Sequence, residues 1–230
     1  MGDSKTLHLR PTAELAERVL LPGDPGRALL LAQILLEKPL MFNHHRGLWG
    51  YTGAAPDGEP LTIQATGMGG PSAAIVLAEL IALGAHRAIR VGTCGAIARG
   101  LELGRLLVAR EAISADGTSR ALGAGELVAA DGGLTAALEL AAPDAIAGTI
   151  VTVDLFYERG PLGGGHDALA VEMEAAALFA LGAAESVPVG CILTVSDTFD
   201  PGGRRARIED HDLHEGVERA ARAALAAMPA

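Results

Sequence analysis

Short apolar runs, each closed by Gly, Pro or Asp, recur along this chain and are separated by stretches long enough for helices. Residues 19–21, 61–65, 88–91, 106–109, 149–153 and 189–195 are rich in aliphatic, often β-branched side chains and read as strands. Residues 26–37, 72–83, 173–183 and 210–228 read as helices. Ser72 is placed to cap the second of these, with Pro71 just before it. In the last, Val217, Ala221, Leu225 and Met228 share one face. Strands alternating with helices demand an α/β sheet covered on both faces. Residues 117–133 are glycine-punctuated and poorly periodic, and residues 160–165 read as a loop.

No repeat or linker interrupts the 230 residues, so one domain spanning 1–230 is expected. Aromatics make up only 3% of a chain that is 50% hydrophobic, so its core must be aliphatic. A formal net charge of −10 without a basic stripe argues against a nucleic-acid partner. Lys5 and Lys38 are the only lysines among 18 basic residues, a bias that a GC-rich genome produces without selection on function. The first ten residues have no signal-peptide-like apolar stretch, and no run approaches the ~18 apolar residues of a membrane span. Met1 to Thr6 fits the short myristoylation pattern, which often matches by chance. Cys94 and Cys191 lie inside apolar segments without metal-ligand spacing. They read as buried thiols of a reducing cytosol, so a cytoplasmic protein is expected.

The chemistry concentrates in three glycine-rich segments. Pro22-Gly23-Asp24-Pro25-Gly26-Arg27 follows the first apolar run. Thr66-Gly67-Met68-Gly69-Gly70-Pro71-Ser72 joins a strand to a helix. Arg90-Val91-Gly92-Thr93-Cys94-Gly95 closes another run. Glycine lets backbone N–H groups close on an anion, and arginine adds a fixed fork of donors suited to phosphate. A small anion bound at strand ends is therefore expected. The second segment is no dinucleotide fingerprint, because the third glycine is missing at the required spacing. Arg90 sits within an apolar strand, so its guanidinium must be paired or must meet an anion.

Glu172 and Glu174 stand at a strand-to-helix transition, where a carboxylate suits a ribose 2′,3′-diol and where the helix dipole also favours acids. Asp197, after Ser196, ends a buried-looking run. In a water-poor pocket its pKa would rise enough to donate a proton near neutral pH. Taken singly, His8, His44 and His45 read as surface residues.

Together these segments resemble the nucleoside phosphorylase family, and specifically the bacterial hexameric purine nucleoside phosphorylases. The matching pieces are Leu20-Leu-Pro-Gly-Asp-Pro25 with Arg27, His45-Arg-Gly-Leu-Trp-Gly-Tyr-Thr-Gly53 and Thr66-Gly-Met-Gly-Gly-Pro-Ser72. Further matches are Arg90-Val-Gly-Thr-Cys-Gly-Ala96, Asp154-Leu-Phe-Tyr157, Val171-Glu-Met-Glu-Ala175 and Thr194-Val-Ser-Asp197. The resemblance implies a single-domain, three-layer α/β/α fold with a mixed, partly barrel-like sheet. It implies reversible phosphorolysis of purine nucleosides, with inorganic phosphate as co-substrate and neither metal nor organic cofactor.

By the same resemblance, phosphate would meet Gly23, Arg27, Arg90 and Thr93, with Arg46 from a neighbouring subunit. Ribose would meet Met68, Glu172, Met173 and Glu174, with His8 from the neighbour. Cys94, Gly95, Phe156, Val171 and Ser196 would line the base pocket, and Asp197 would protonate purine N7. The family places an arginine downstream of that aspartate to assist it; Arg204, Arg205 and Arg207 are candidates, and Arg207 is preferred. A homohexamer built as a trimer of dimers follows, with neither nucleic acid nor membrane as partner. The rare aromatics Phe42, Trp49 and Tyr51 around Arg46 suit an interface as well as a core.

Residues 117–148 and 158–170 form shorter stretches than in typical members. Uridine phosphorylase shares the phosphate and ribose sites, but its uracil-binding Gln and Arg are replaced here by Glu158-Arg159-Gly160. A nucleosidase using water would not need arginines at 27, 46 and 90. A non-catalytic nucleoside-binding protein would not need Asp197. Asp rather than Asn at 197 implies, by the family pattern, tolerance of 6-amino as well as 6-oxo purines.

Overall fold

A computed structural model describes residues 6–157, 168–199 and 204–229. The loop read at 160–165 and the segment Glu158-Arg159-Gly160 lie outside the described residues. In chain order the elements are β1 (Arg18–Leu21), α1 (Pro25–Leu35), β2 (Glu37–Asn43), a 3-10 turn (His45–Gly47), β3 (Gly50–Ala54) and β4 (Pro60–Gln64). There follow α2 (Gly70–Leu83), β5 (Arg87–Ala96), β6 (Leu106–Ala115), α3 (Gly117–Ala121), β7 (Leu127–Ala129) and α4 (Gly132–Ala141). The rest are β8 (Ile146–Val153), β9 (Ala170–Glu172), α5 (Ala175–Glu185), β10 (Val189–Phe199), β11 (Arg205–Arg207) and α6 (Asp210–Ala226).

The strands join in one mixed, 11-stranded sheet. β5 lies at its centre, parallel to β1 on one side and to β10 on the other. A five-strand ring closes through β5, β10, β6, β8 and β9, since β9 returns to pair with β5. This ring is the barrel-like part of the sheet. Strand side chains alternate between two aliphatic cores. Val19, Leu21, Ala88, Cys191 and Leu193 face one, with Leu77 of α2 and Leu178 of α5. Leu20, Ile89, Val91, Val108 and Ile192 face the other, with Leu31 of α1, Leu138 of α4 and Val217 of α6. Helices therefore cover both faces, as a two-sided apolar strand requires.

Several boundaries differ from the sequence reading, each for a local reason. β5 runs on to Ala96 because the longer β10 keeps pairing with it, Thr194 against Thr93 and Val195 against Cys94. The Gly92–Gly95 segment is thus strand rather than turn. α2 starts at Gly70, with Pro71 in its first turn. Ser72 is no cap; its hydroxyl donates to the Thr66 carbonyl at 2.5 Å. α1 ends at Leu35, and Leu36 is already extended, leading into β2. The β2–β3 hairpin escaped the sequence reading because the first five residues of β2 are exposed, so it has no apolar alternation. Residues 117–133 hold α3, β7 and the start of α4, all short.

Candidate active site

The first glycine segment forms the entry to α1. Asp24 caps the helix, its Oδ1 accepting from the Arg27 N–H at 2.8 Å, and Pro25 occupies the first turn. Arg27 therefore projects from a helix N-terminus, whose backbone dipole itself favours an anion. The second segment lies alongside: Thr66 N–H bonds the Pro22 carbonyl at 2.9 Å, and Gly67 N–H the Gly23 carbonyl at 3.0 Å. Left-handed Gly67 and Gly69, at φ +75° and +85°, flank Met68, which is 87% exposed.

Arg90 reaches the same place from β5. Its register partners are Leu21 in β1 and Cys191 in β10, and it is 3% exposed. Its Nε donates to Glu172 Oε2 at 3.0 Å, and its Nη2 forms an ion pair with Glu174 Oε2 at 2.5 Å. Glu172 is fully engaged. Thr152 Oγ1 donates to Oε1 at 2.5 Å, and the backbone N–H groups of Glu174 and Ala175 add to it at 2.9 and 3.0 Å. Among the described residues, Glu174 instead has only the Arg90 ion pair and the Gly69 N–H, which it accepts at 2.5 Å on Oε1. Each of its oxygens keeps a lone pair for a further donor. Met173 lies between the two acids and is half-buried.

Burial works against the Arg90 charge, but Glu174 and then Glu172 outweigh it and raise its pKa. Burial likewise raises the Glu172 pKa, with Arg90 opposing. Arg27 has its pKa lowered by burial first and by Arg90 second. Two mutually repelling guanidinium groups thus stand together. The Nη1 atoms of Arg27 and Arg90 are both buried without a hydrogen-bond partner among the described residues. A Cβ placed on Gly23 would lie 3.9 Å from Arg27 Nη2 and 3.9 Å from Arg90 Nη1, so that glycine borders both forks. An unsatisfied buried donor costs on the order of 1–3 kcal/mol, a cost that a bound oxyanion removes.

Beyond the acids, β5, β9 and β10 build a second group. Gly95 pairs with Val171, and a Cβ on it would meet Val171 at 3.3 Å and the Phe199 ring at 3.5 Å. Cys94 is buried and its thiol pKa is pushed up by desolvation, which keeps it inert. Thr93, half-buried, sits in β5 between Arg90 and this group. A bulge in β10 between Val195 and Asp197 turns Ser196 so that its hydroxyl meets the Cys94 carbonyl at 3.2 Å and Asp197 Oδ2 at 2.7 Å.

Asp197 Oδ1 is held by Arg205 Nε at 2.7 Å, not by Arg207. Arg207 lies directly opposite Asp197 in the β10–β11 register, whereas Arg205 reaches Asp197 diagonally from opposite Phe199. Arg205 also stacks on Phe156, its guanidinium carbon 4.6 Å from the ring centroid. The preference for Arg207 is thus corrected: Arg205 makes the hydrogen bond and ion pair to Asp197, and Arg207 acts on it through its charge alone. Burial tends to raise the Asp197 pKa, but hydrogen bonds from Arg205 and Ser196, then the charges of Arg205 and Arg207, leave it below the ordinary carboxylate value. This reverses the expected rise, since the pocket brings its own cations.

His8 and Arg46 do not join these groups. His8 is bonded to Glu79 of α2 at 2.8 Å. Arg46 sits exposed in the 3-10 turn at φ +60°, with no hydrogen bond or ion pair among the described residues. Sequence reasoning missed Gly69, Phe199 and Glu79. Gly69 acts through its backbone, which no residue type announces. Phe199 had a usable signal, lying two residues beyond Asp197 on one strand.

The phosphorylase superfamily model matches residues 17–228. A DeoD-type purine nucleoside phosphorylase of Geobacillus kaustophilus is 37% identical over 93% of this chain and 95% of its own length. Relatives of the same description from Alkaliphilus metalliredigens and Clostridium novyi are 37% and 38% identical, over 90% and 82% of this chain and 94% and 85% of theirs. The chain therefore belongs to the phosphorylase superfamily and, within it, to the DeoD-type purine nucleoside phosphorylase family.

Proposed function

We propose that this protein catalyses the reversible phosphorolysis of purine ribo- and 2′-deoxyribonucleosides to the free base and (2-deoxy)ribose 1-phosphate. One observation carries the reading: the guanidinium groups of Arg27 and Arg90, each with a buried, unpartnered Nη1 among the described residues, both border Gly23, near a carboxylate with spare acceptor capacity. Phosphate takes the two guanidinium forks, with Thr93 and the partner's Arg46 completing its shell. Glu174 accepts the ribose 2′ and 3′ hydroxyls, flanked by Met68 and Met173. Glu172, its own oxygens engaged, holds Arg90 in place instead of touching the sugar.

As the glycosidic bond breaks, positive charge grows on the ribose and negative charge on the purine. The bound phosphate lies below the sugar as nucleophile and counter-charge. Asp197 serves purine N7, and the base lies among Gly95, Val171, Phe156 and Phe199. In the resting enzyme Asp197 is ionised and tied to Arg205. Loss of the Arg205 hydrogen bond as the base enters removes the largest influence lowering the Asp197 pKa, so the carboxylate takes up a proton from solvent and then gives it to N7 as the glycosidic bond breaks.

The whole chain works as one domain, without metal or organic cofactor, in the cytoplasm. It assembles as a homohexamer whose subunits lend His8 and Arg46 to each other's sites. Exposed Leu7, Leu40, Met41, Trp49, Met68 and Ile75 supply apolar surface for that assembly. The test is an assay of inosine, adenosine, guanosine and uridine, each with and without inorganic phosphate. Purine cleavage that requires phosphate and exceeds uridine cleavage is expected. Faster uridine turnover, or turnover undiminished without phosphate, overturns the assignment.

A further inference from the structure

The hold on Arg90 reaches one residue further back than the acids. Thr152 lies in β8 with Ser114 of β6 and Glu172 of β9 as its register partners, and it is fully buried. Its hydroxyl has two neighbours. The Ala176 N–H stands 3.0 Å away, and an amide N–H can only donate, so it occupies a lone pair of the hydroxyl oxygen. The one hydroxyl proton is left for Glu172 Oε1, at 2.5 Å. That N–H belongs to the first turn of α5, where backbone donors have no partner inside the helix. Thr152 thus ties β8, β9 and α5 together at the carboxylate that grips Arg90 Nε.

Glu172 needs that donor more than an exposed acid would, because burial works to protonate it. Arg90 from β5 favours its charge, and Glu174 at the head of α5 opposes it. Cys94 of β5 and Cys191 of β10 also face it, as thiols that desolvation keeps neutral. Thr152 and the Ala175 N–H supply hydrogen bonds that favour the carboxylate. A protonated Glu172 would no longer balance the Arg90 charge, and the guanidinium would lean on Glu174 alone. Glu174 is the acid with acceptor capacity left for the sugar, so a firm Glu172 keeps the arginine from competing with the diol. The aim of Arg90 Nη1, which has no partner among the described residues, depends on this bracing.

We propose that Thr152 is a positioning residue for the phosphate site: its hydroxyl, obliged by Ala176 to donate, fixes the Glu172 carboxylate that holds the Arg90 guanidinium ready for the anion. The inference rests on the phosphorolysis reading above and carries it to a residue lying behind the binding groups.

The full-length enzyme is assayed with inosine and varied phosphate across pH. Wild type stands beside Thr152→Val, which keeps the branched shape and loses the hydroxyl, and Thr152→Ser, which keeps the hydroxyl. Thr152→Val should raise KM for phosphate roughly three- to tenfold, part of the worth of a hydrogen bond to a charged group. KM for inosine should move less. The acid limb should shift as well. Losing a donor to the ionised form raises the Glu172 pKa, so the variant loses that charge, and with it phosphate affinity, at a higher pH than wild type. The ionisation of phosphate itself is common to both enzymes and drops out of the comparison. Thr152→Ser should match wild type in both respects. A purely structural threonine would cost folded enzyme, hence kcat per mole of protein, and leave KM for phosphate and the acid limb unmoved. That outcome overturns the proposal, as does a Thr152→Ser as impaired as Thr152→Val. If Thr152→Val does not fold, Thr152→Ala loses the same hydroxyl without adding bulk and is read in the same way. A wild type without phosphate-dependent cleavage of inosine sinks the functional reading. An active wild type whose Thr152→Val variant keeps its KM for phosphate sinks this proposal alone.

Discussion

Asp197 sits in a tug between burial and cations, and the cations win. Its carboxylate is held by Arg205 and Ser196, so its acid form must be produced by what binds. Arg205→Gln removes the strongest influence lowering its pKa. A group whose pKa rises keeps its proton to higher pH, so the alkaline limb of kcat/KM on inosine should move upward in that variant, with a lower plateau. A pH–rate profile beside wild type checks the direction; an unmoved or downward-shifted limb disposes of the pairing. Asp197→Asn, which cannot titrate, should lose that limb and about 10²-fold or more in kcat. The buried carboxylate itself was legible in the sequence, at the end of an apolar run. Its arginine was not, because choosing between positions 205 and 207 needs the β10–β11 register.

At the scale of elements, β5 carries the site because Arg90 folds back over its own strand. A Cβ on Gly92 would lie 2.8 Å from Arg90 Cζ and 2.9 Å from Leu193 Cδ2. That glycine therefore makes room for a guanidinium already held by two carboxylates. It is not the anion-wrapping turn its motif suggests. Gly92→Ala should displace Arg90 from Glu172 and Glu174, because the guanidinium is held by both acids and the Leu193 methyl is packed in the core. A loss of about 1–3 kcal/mol in stability is expected, with a raised KM for phosphate. Thermal melts and phosphate titrations measure both; a variant normal in each would show that Arg90 can give way. The helices and buried strands were readable from period and punctuation. The β2–β3 hairpin was not, since Lys38 takes φ +47° and most of β2 faces outward.

For the whole molecule, the described site lacks two of its expected members, and both stand together on one edge. A shared site makes a sharp prediction. Arg46→Ala and Asp197→Asn should each be poorly active as pure oligomers. Mixed, unfolded and refolded together, they should regain activity, because hybrid assemblies contain sites with Asp197 from one chain and Arg46 from its neighbour. Activity no greater than the sum of the separate variants would place both groups in one chain's site.

Covered strands, an aliphatic core and the residue types of an oxyanion and diol site are local properties, written in periodicity and motif. A buried arginine in an apolar strand also announces an anionic partner, because desolvation forbids it to stand alone. Which acid is fully engaged around that arginine and which keeps spare acceptor capacity, which arginine grips Asp197, and which expected site residues lie apart from the rest were decided only by tertiary structure. Those outcomes depend on strand register and on competition among neighbours for the same lone pairs, which bring together groups as far apart along the chain as Gly69 and Glu174.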